Sequence, residues 1–482
     1  MDQGTPIYDL LQEYCKEENI RLHMPGHNGG KGFMVEEFKA IGKLDVTEVP
    51  GIDDLHRPQE AIKVGQTLLA RAYRAKESFF LVNGATSGIH SLFLSLGGGG
   101  KKVLVPRNAH KAFFGGMVLA DIDPVYIPCK IVPELGLSLS VYSEDVINAL
   151  CEHPDAEAVF LTSPSFYGTT CNIKEIAQQT GAKGKWLFVD EAHGGHFAFH
   201  PLYPRTALED GADASVNGLH KTLPVLNQGG TVHLGKYTEK REDFFEAYSM
   251  VTTTSPSFPI LASIDLARYF MVTEGRTYLD RALQLSQEYT KRINGIKGLK
   301  CYGGEEWTRL AEVNQADPLK LLVVLDGWEI DGIQLSYLLR SQYHIQVELE
   351  APNLLLAMMS MFHEREDWER LYVALGALAD KYYTAGKSQP RSVEIIPPDP
   401  QKALNPREAY FAAKTSIPLA DSRGRVSGEM IAVYPPGIPC LLPGEIITPE
   451  IIDYLIYLRE HRIRLQGSMH PAMEYIKVID GE

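Results

Sequence analysis

The sequence predicts an α/β protein: a large domain built on a mostly parallel sheet, a smaller α/β domain and a C-terminal domain. Three observations carry this. Short continuous apolar runs, "KKVLVP", "AEAVFLTSP", "KWLFVDEAH", "DASVNG" and "GGTVHLG", alternate with helix-length segments, the pattern of buried strands joined by crossover helices. The chain has 482 residues, 44% of them hydrophobic and 22% charged, enough for two to four domains of ordinary globular composition. The proline-rich stretch "GKSQPRSVEIIPPDPQKALNP" reads as a linker. The expected division is an N-terminal arm over 1–55, a large domain over 56–275, a small α/β domain over 276–385 and a C-terminal domain over 386–482.

Taken in order, residues 1–20 predict an amphipathic helix, because Ile7, Leu10, Leu11 and Tyr14 recur at helical spacing. The Gly- and His-rich loop "HMPGHNGGKGF" follows, then a helix over 60–75. The Gly-rich "VNGATSGIHSLFLSL" leads into an apolar helical run, and the five strand-like runs come after it. Residues 276–297 form a long amphipathic helix without proline. Beyond it "LKLLVVLDG", "GIQLSYLLRSQY", "IQVELE" and "NLLLAMMS" read as strand, helix, strand, strand. In the last segment the prolines of "YPPGIPCLLPGE" rule out a regular helix.

A formal charge of −14 argues against a nucleic-acid partner, which needs clustered Lys and Arg, and is compatible with a cationic substrate. Cys15, Cys129, Cys151, Cys171, Cys301 and Cys440 are scattered without a CxxC pair, as expected of reduced thiols in a cytoplasmic protein. The N-terminal stretch lacks the character of a signal or transit peptide, and no apolar run approaches a membrane span. A soluble, intracellular protein is expected.

Three features carry chemistry. Residues 83–88, "NGATSG", open a helix with backbone N–H groups and the hydroxyls of Thr86 and Ser87, a place for a phosphate; alone they read equally as an N-cap. Asp190 ends the run "KWLFVD", and ligands of open α/β sheets sit at the carboxyl ends of strands; its alternative role is to cap the next helix. Lys221, in "SVNGLHKTLPVLNQGG", follows one strand later. Alone it reads as a solvated surface lysine, but in an apolar pocket its amine is a nucleophile able to form a Schiff base. A phosphate cradle, a strand-end acid and a strand-end lysine in this order are what pyridoxal 5'-phosphate (PLP) requires: one holds the phosphate, one keeps the pyridine nitrogen protonated, and one carries the aldehyde carbon. His193, His196 and His200 are not expected to bind metal, since no HExxH helix is present.

On "HMPGH", "DVTEVPGIDDLHRP", "LVNGATSG", "VPRNAHKA", "LTSPSFYG", "VDEAHGGHF", "LHKTLP", "TTTSPSFP" and "YPPGIPCLLPGE" the chain resembles the Orn/Lys/Arg decarboxylase family over nearly its whole length, in the shorter bacterial form without a response-regulator-like N-terminal domain. The resemblance implies PLP fold type I, the aspartate aminotransferase-like architecture. It implies that Lys221 carries the cofactor aldehyde and Asp190 partners the pyridine nitrogen. It also implies that His110 stacks on the ring, that Ala85 through its backbone, Thr86 and Ser87 hold the phosphate, that His193 lies near the ring hydroxyl, and that His220 lies near the phosphate or the substrate. The segment around Ser255 is expected to complete the site near a subunit boundary, in a homodimer or dimer of dimers.

The implied reaction is decarboxylation of arginine, lysine or ornithine to agmatine or a diamine, within polyamine metabolism. Asp53, Asp54 and Glu445 are candidates for the substrate's side-chain cation, alongside surface or capping roles. Alternatives are an aminotransferase, for which Arg423 and Arg425 could clamp a carboxylate although "DSRGRVSGE" reads as a turn, an aldolase, or a non-catalytic PLP-binding scaffold. The chain departs from its relatives at Gly218 and Leu219, where a serine and a small hydroxyl residue are usual, and at Asn28, where lysine is usual.

Overall fold

The computed structural model describes residues 4–129, 131–132, 135–310, 313–385, 401–433, 438–460, 463, 465–470 and 472–480. They fall into two compact units, one made of residues 1–95 and 186–279, the other of 96–185 and 280–482. Residues 56–275, expected as one large domain, thus contribute to both units.

The first unit opens with helix Pro6–Lys16, which buries Ile7, Leu11 and Tyr14 of the expected stripe. Pro6 suits the first helical turn, where no N–H is needed, and the buried Asp265 accepts the Ile7 N–H at 2.9 Å. Four strands pair in the order Glu77–Leu81, Gly230–Leu234, Ala214–Asn217, Trp186–Asp190. The last two run parallel, with Asp190 opposite Val216, and the other two pairings are antiparallel. The Trp186–Asp190 and Ala214–Asn217 strands are almost wholly buried on both faces, as their runs predicted, with Ser215 and Asn217 as buried polar residues of the second. Helix Gly84–Ser95 buries Ile89, Leu92 and Phe93. Glu77–Leu81, "ESFFL", is a strand the sequence did not announce, being wedged directly behind helix Ala61–Ala72.

In the second unit Ala158–Thr162 and Ile122–Ile127 flank Lys101–Pro106 in a parallel arrangement. The Ile122–Ile127 strand was also missed; Pro124 lies within it, and a proline is tolerated there because this is an edge strand. Helix Gly275–Asn294 matches the expected long amphipathic helix. The predicted strand, helix, strand, strand becomes Lys320–Leu325, Gly332–Tyr343, Leu349–Ala351 and Leu354–Met358. With Leu299–Tyr302 the strands form a four-stranded antiparallel sheet.

The proline-rich linker lies outside the described residues over 386–400. The C-terminal part has its own core, in which Ile431, Leu441, Ile451, Leu455, Ile476 and Val478 are buried together. Tyr434–Gly437 of "YPPGIPCLLPGE" also fall outside the described residues, and Ile438–Leu441 is a strand. No described helix is long and apolar enough to cross a membrane.

Candidate active site

The parallel pair Trp186–Asp190 and Ala214–Asn217 sets the site. Asp190 is the last residue of its strand, and the adjacent strand runs through Gly218 into a one-turn 3-10 helix, Leu219–Lys221. Both candidate side chains therefore leave the carboxyl end of the same sheet, where parallel strands deliver ligand contacts. Lys221 is half-buried rather than solvated, and its Nζ lies 3.1 Å from His193 Nε2. Asp190 leads into consecutive turns and a short 3-10 helix, Phe197–Phe199, so it does not cap an α-helix.

Asp190 is 3% exposed. Among the described residues its carboxylate accepts one hydrogen bond, from the Ala192 N–H at 3.1 Å. Burial raises its pKa above the usual carboxylate range, and the Lys221 charge and the Ala192 bond work against that rise. This is a deeply buried acid with one donor among the described residues and a nearby cation.

The helix that starts at Gly84 presents Ala85 and Ser87 as buried residues and Thr86 as an exposed one. Ser87 donates its hydroxyl proton to the Gly84 carbonyl at 2.9 Å, so Thr86 and the backbone N–H groups of the first turn remain as the natural donors to an anion. The cradle and the lysine turn share one connection. The Gly84 N–H donates to the Gln228 carbonyl at 2.8 Å, and His220 Nδ1 lies 3.0 Å from the Gly229 carbonyl. Burial and the neighbouring Lys221 charge lower the His220 pKa, against the Gly229 bond.

The structure also separates candidates. His110 belongs to the second unit, where its Nδ1 accepts the Ala112 N–H at 3.2 Å. Asp53 is withdrawn as a substrate contact: its two carboxylate oxygens accept the N–H groups of Asp54, Gln59, Glu60 and Ile62 at 2.8–3.0 Å, anchoring the start of helix Ala61–Ala72. Asp54 accepts the His56 N–H at 2.8 Å. Glu445 is buried against Arg107, 2.9 Å from Nη2, and accepts the Leu442 N–H at 2.8 Å; it ties the C-terminal part to the end of strand Lys101–Pro106 and is not a free acid. Arg423 and Arg425 sit in a turn, as the sequence suggested. Ser255 is exposed, and its segment is tied down where the Thr253 N–H meets Asn83 Oδ1 at 3.2 Å and His56 Nε2 lies 2.9 Å from the Thr253 carbonyl. No group of three or more His, Cys, Asp or Glu side chains among the described residues could hold a metal ion.

The departures have local explanations. A Cβ on Gly218 would stand 3.1 Å from the Ala192 carbonyl and 3.4 Å from Cδ and Cε of Lys221, so the lysine stem occupies space that a side chain would contest. Leu219 is buried at 1% exposure and contributes packing. Asn28 is exposed with φ +49°, a left-handed conformation that asparagine tolerates better than most residues.

Residues 5–366 match the Orn/Lys/Arg decarboxylase major domain, and residues 391–471 match the C-terminal domain of the same family. The chain belongs to the Orn/Lys/Arg decarboxylase family. It is 33% identical over 479 residues to an arginine decarboxylase of Bacillus subtilis, covering 98% of each chain. It is 34% identical over 482 residues to an arginine decarboxylase of Halalkalibacterium halodurans, covering 99% of this chain and 98% of that one. Among solved structures it resembles the lysine decarboxylase of Francisella novicida, with a TM-score of 0.82 and 22% identity over 99% of this chain and 81% of that one. The constitutive lysine decarboxylase of Escherichia coli gives a TM-score of 0.81 and 20% identity over 99% and 82%. The fold is PLP fold type I, as the sequence motifs implied.

Two residues of the site region went unread in the sequence. Glu191 and Asn217 are buried at 2% and 0% exposure and bonded to each other beside Asp190 and Lys221. The one available signal was the acid pair "DE" at a strand end, since alternation sends the second acid to the face opposite the first.

Proposed function

We propose that this member of the family decarboxylates a basic amino acid with PLP, and that arginine is the substrate, giving agmatine and carbon dioxide. The observation that carries the reading is the buried Asp190 carboxylate, with its single described donor, on the strand beside the turn that bears Lys221. Such a group fits a protonated pyridine nitrogen, which would supply the donor and charge that the protein does not. The curated arginine decarboxylases at 33–34% identity support arginine as the first substrate to test.

When bound, PLP supplies an electron sink for the pair of electrons released from the breaking bond to the carboxylate. Lys221 Nζ would hold the cofactor's aldehyde carbon, and Asp190 would hold the proton on the ring nitrogen. The Thr86 hydroxyl and the first-turn N–H groups from Ala85 onward, that of Ser87 included, would bind the phosphate, and His220 would lie toward the phosphate or substrate. His193 would stand near the ring hydroxyl. His193 Nε2, 3.1 Å from Lys221 Nζ, can exchange a proton with that amine, and the pair is suited to return one to the substrate's α-carbon. His110 is assigned the ring face on the family resemblance. The same reading makes the protein a cytoplasmic enzyme of polyamine metabolism working at least as a homodimer, in keeping with six described cysteines that form no disulfide.

The test is the ultraviolet-visible spectrum of the purified protein with PLP, followed by product analysis with arginine, lysine and ornithine. A lysine-bound PLP absorbance with agmatine release supports the proposal. Absence of that band after added PLP, or keto-acid formation without carbon dioxide, overturns it.

A further inference from the structure

We infer that Glu191 and Asn217 form a buried carboxyl–amide clasp that positions Asp190 and Lys221, which makes Glu191 a positioning residue for the reaction. The inference rests on the roles proposed above for Lys221 and Asp190.

Glu191 follows Asp190 directly, and Asn217 precedes Lys221 by four residues. Asn217 Nδ2 donates both to the Glu191 backbone carbonyl at 3.0 Å and to its Oε2 at 3.2 Å. Oε1 accepts the Ala207 N–H at 2.7 Å. The Glu191 N–H donates to the Val216 carbonyl at 2.9 Å, and the Glu191 carbonyl also accepts the Gly194 N–H at 2.8 Å. One residue thereby ties the end of the Asp190 strand, the turn that carries His193, the end of the strand that leads to Lys221, and the segment at Ala207. There is no slack beneath it, since a Cβ on Gly194 would stand 2.7 Å from Glu191 Cγ.

Chemistry explains the use of an acid here. Burial pushes the Glu191 pKa up to about 8, with the Ala207 and Asn217 bonds opposing and the charges of Glu209 and Asp210 adding to the rise. Tyr73, at the end of its helix, also faces this carboxyl and is itself held neutral by burial. Glu209 pairs with Arg74 and Asp210 with Arg205, so their influence is partly compensated. A neutral carboxyl can hold the two strand ends together without setting a second negative charge next to Asp190.

The decisive comparison is wild type against E191Q and E191A. In the cofactor-free protein a folded-state pKa raised above the ordinary 4.5 means that the group's contribution is fully present below that pH and is lost as pH rises through about 8. The melting temperature of E191Q should therefore gain on wild type as pH rises from 4.5 to about 8 and run level above it. With PLP and substrate, E191A should lose about ten- to a hundredfold in kcat, with KM changed by less than about threefold. E191Q should restore most of that loss and lack the wild-type decline above about pH 8. Wild-type kcat and pH profile in E191A, or parallel melting curves for E191Q and wild type across pH, overturn the inference. If wild type itself gains no cofactor absorbance, the reading it rests on falls, while the cofactor-free melting series still separates a neutral clasp from an ordinary ionised acid.

Discussion

Two buried aspartates of the same unit show how differently burial can be used. Asp53 accepts four backbone N–H groups, so its oxygens are fully committed to starting a helix. Asp190, still less exposed, accepts one among the described residues and has a lysine charge as its main compensation. A saturated buried acid is architecture, whereas an undersupplied one has capacity left for a ligand.

That contrast can be broken by substitution. K221A should produce the largest change: loss of the PLP absorbance and a fall in agmatine release of at least about a thousandfold, with the melting temperature retained. Wild-type turnover would remove Lys221 from the chemistry. D190N should lower kcat by about a hundred- to a thousandfold, the range for removing one preorganised electrostatic partner. The same variant should make the cofactor-free protein more stable than wild type at neutral pH. Burial raises the Asp190 pKa above 3.8, so the folded state resists ionisation that the unfolded chain accepts, and the advantage of D190N should grow as pH rises above 3.8. Urea unfolding between pH 4 and 8 checks this.

D53A should do the reverse, costing about 3 kcal/mol of stability by stranding buried N–H groups, while kcat of the protein that remains folded stays near wild type. A large kcat effect at unchanged stability would erase the distinction between the two acids. The smallest effect is expected in the cradle. T86A should weaken PLP affinity by about fivefold, the worth of one net hydrogen bond. S87A should weaken it less, because Ser87 already donates to Gly84; equilibrium dialysis of PLP measures both.

Much of this was legible in the residues. The short runs marked the buried strands Lys101–Pro106, Ala158–Thr162, Trp186–Asp190, Ala214–Asn217 and Gly230–Leu234, most plainly the first three, where cover on both faces leaves a nearly continuous apolar run. Glu77–Leu81 and Ile122–Ile127 escaped notice: one follows helix Ala61–Ala72 almost directly and the other carries a proline. For the candidate site, the order along the chain put forward Lys221, Asp190 and the start of helix Gly84–Ser95. The fates of Asp53 and Glu445 were not, since a string cannot show which acid is met by four N–H groups and which by an arginine.

By itself the sequence determined the α/β class and the family and put forward the candidate site residues, because apolar periodicity and motif spacing are local properties of the chain. Only the tertiary structure decided how each buried polar group is supplied. Asp53 and Glu445 were assigned to architecture, Asp190 was left short of donors, and Glu191 was joined to Asn217 across two strands. Hydrogen-bond satisfaction depends on which backbone groups fold against a side chain, and those partners lie far apart in sequence.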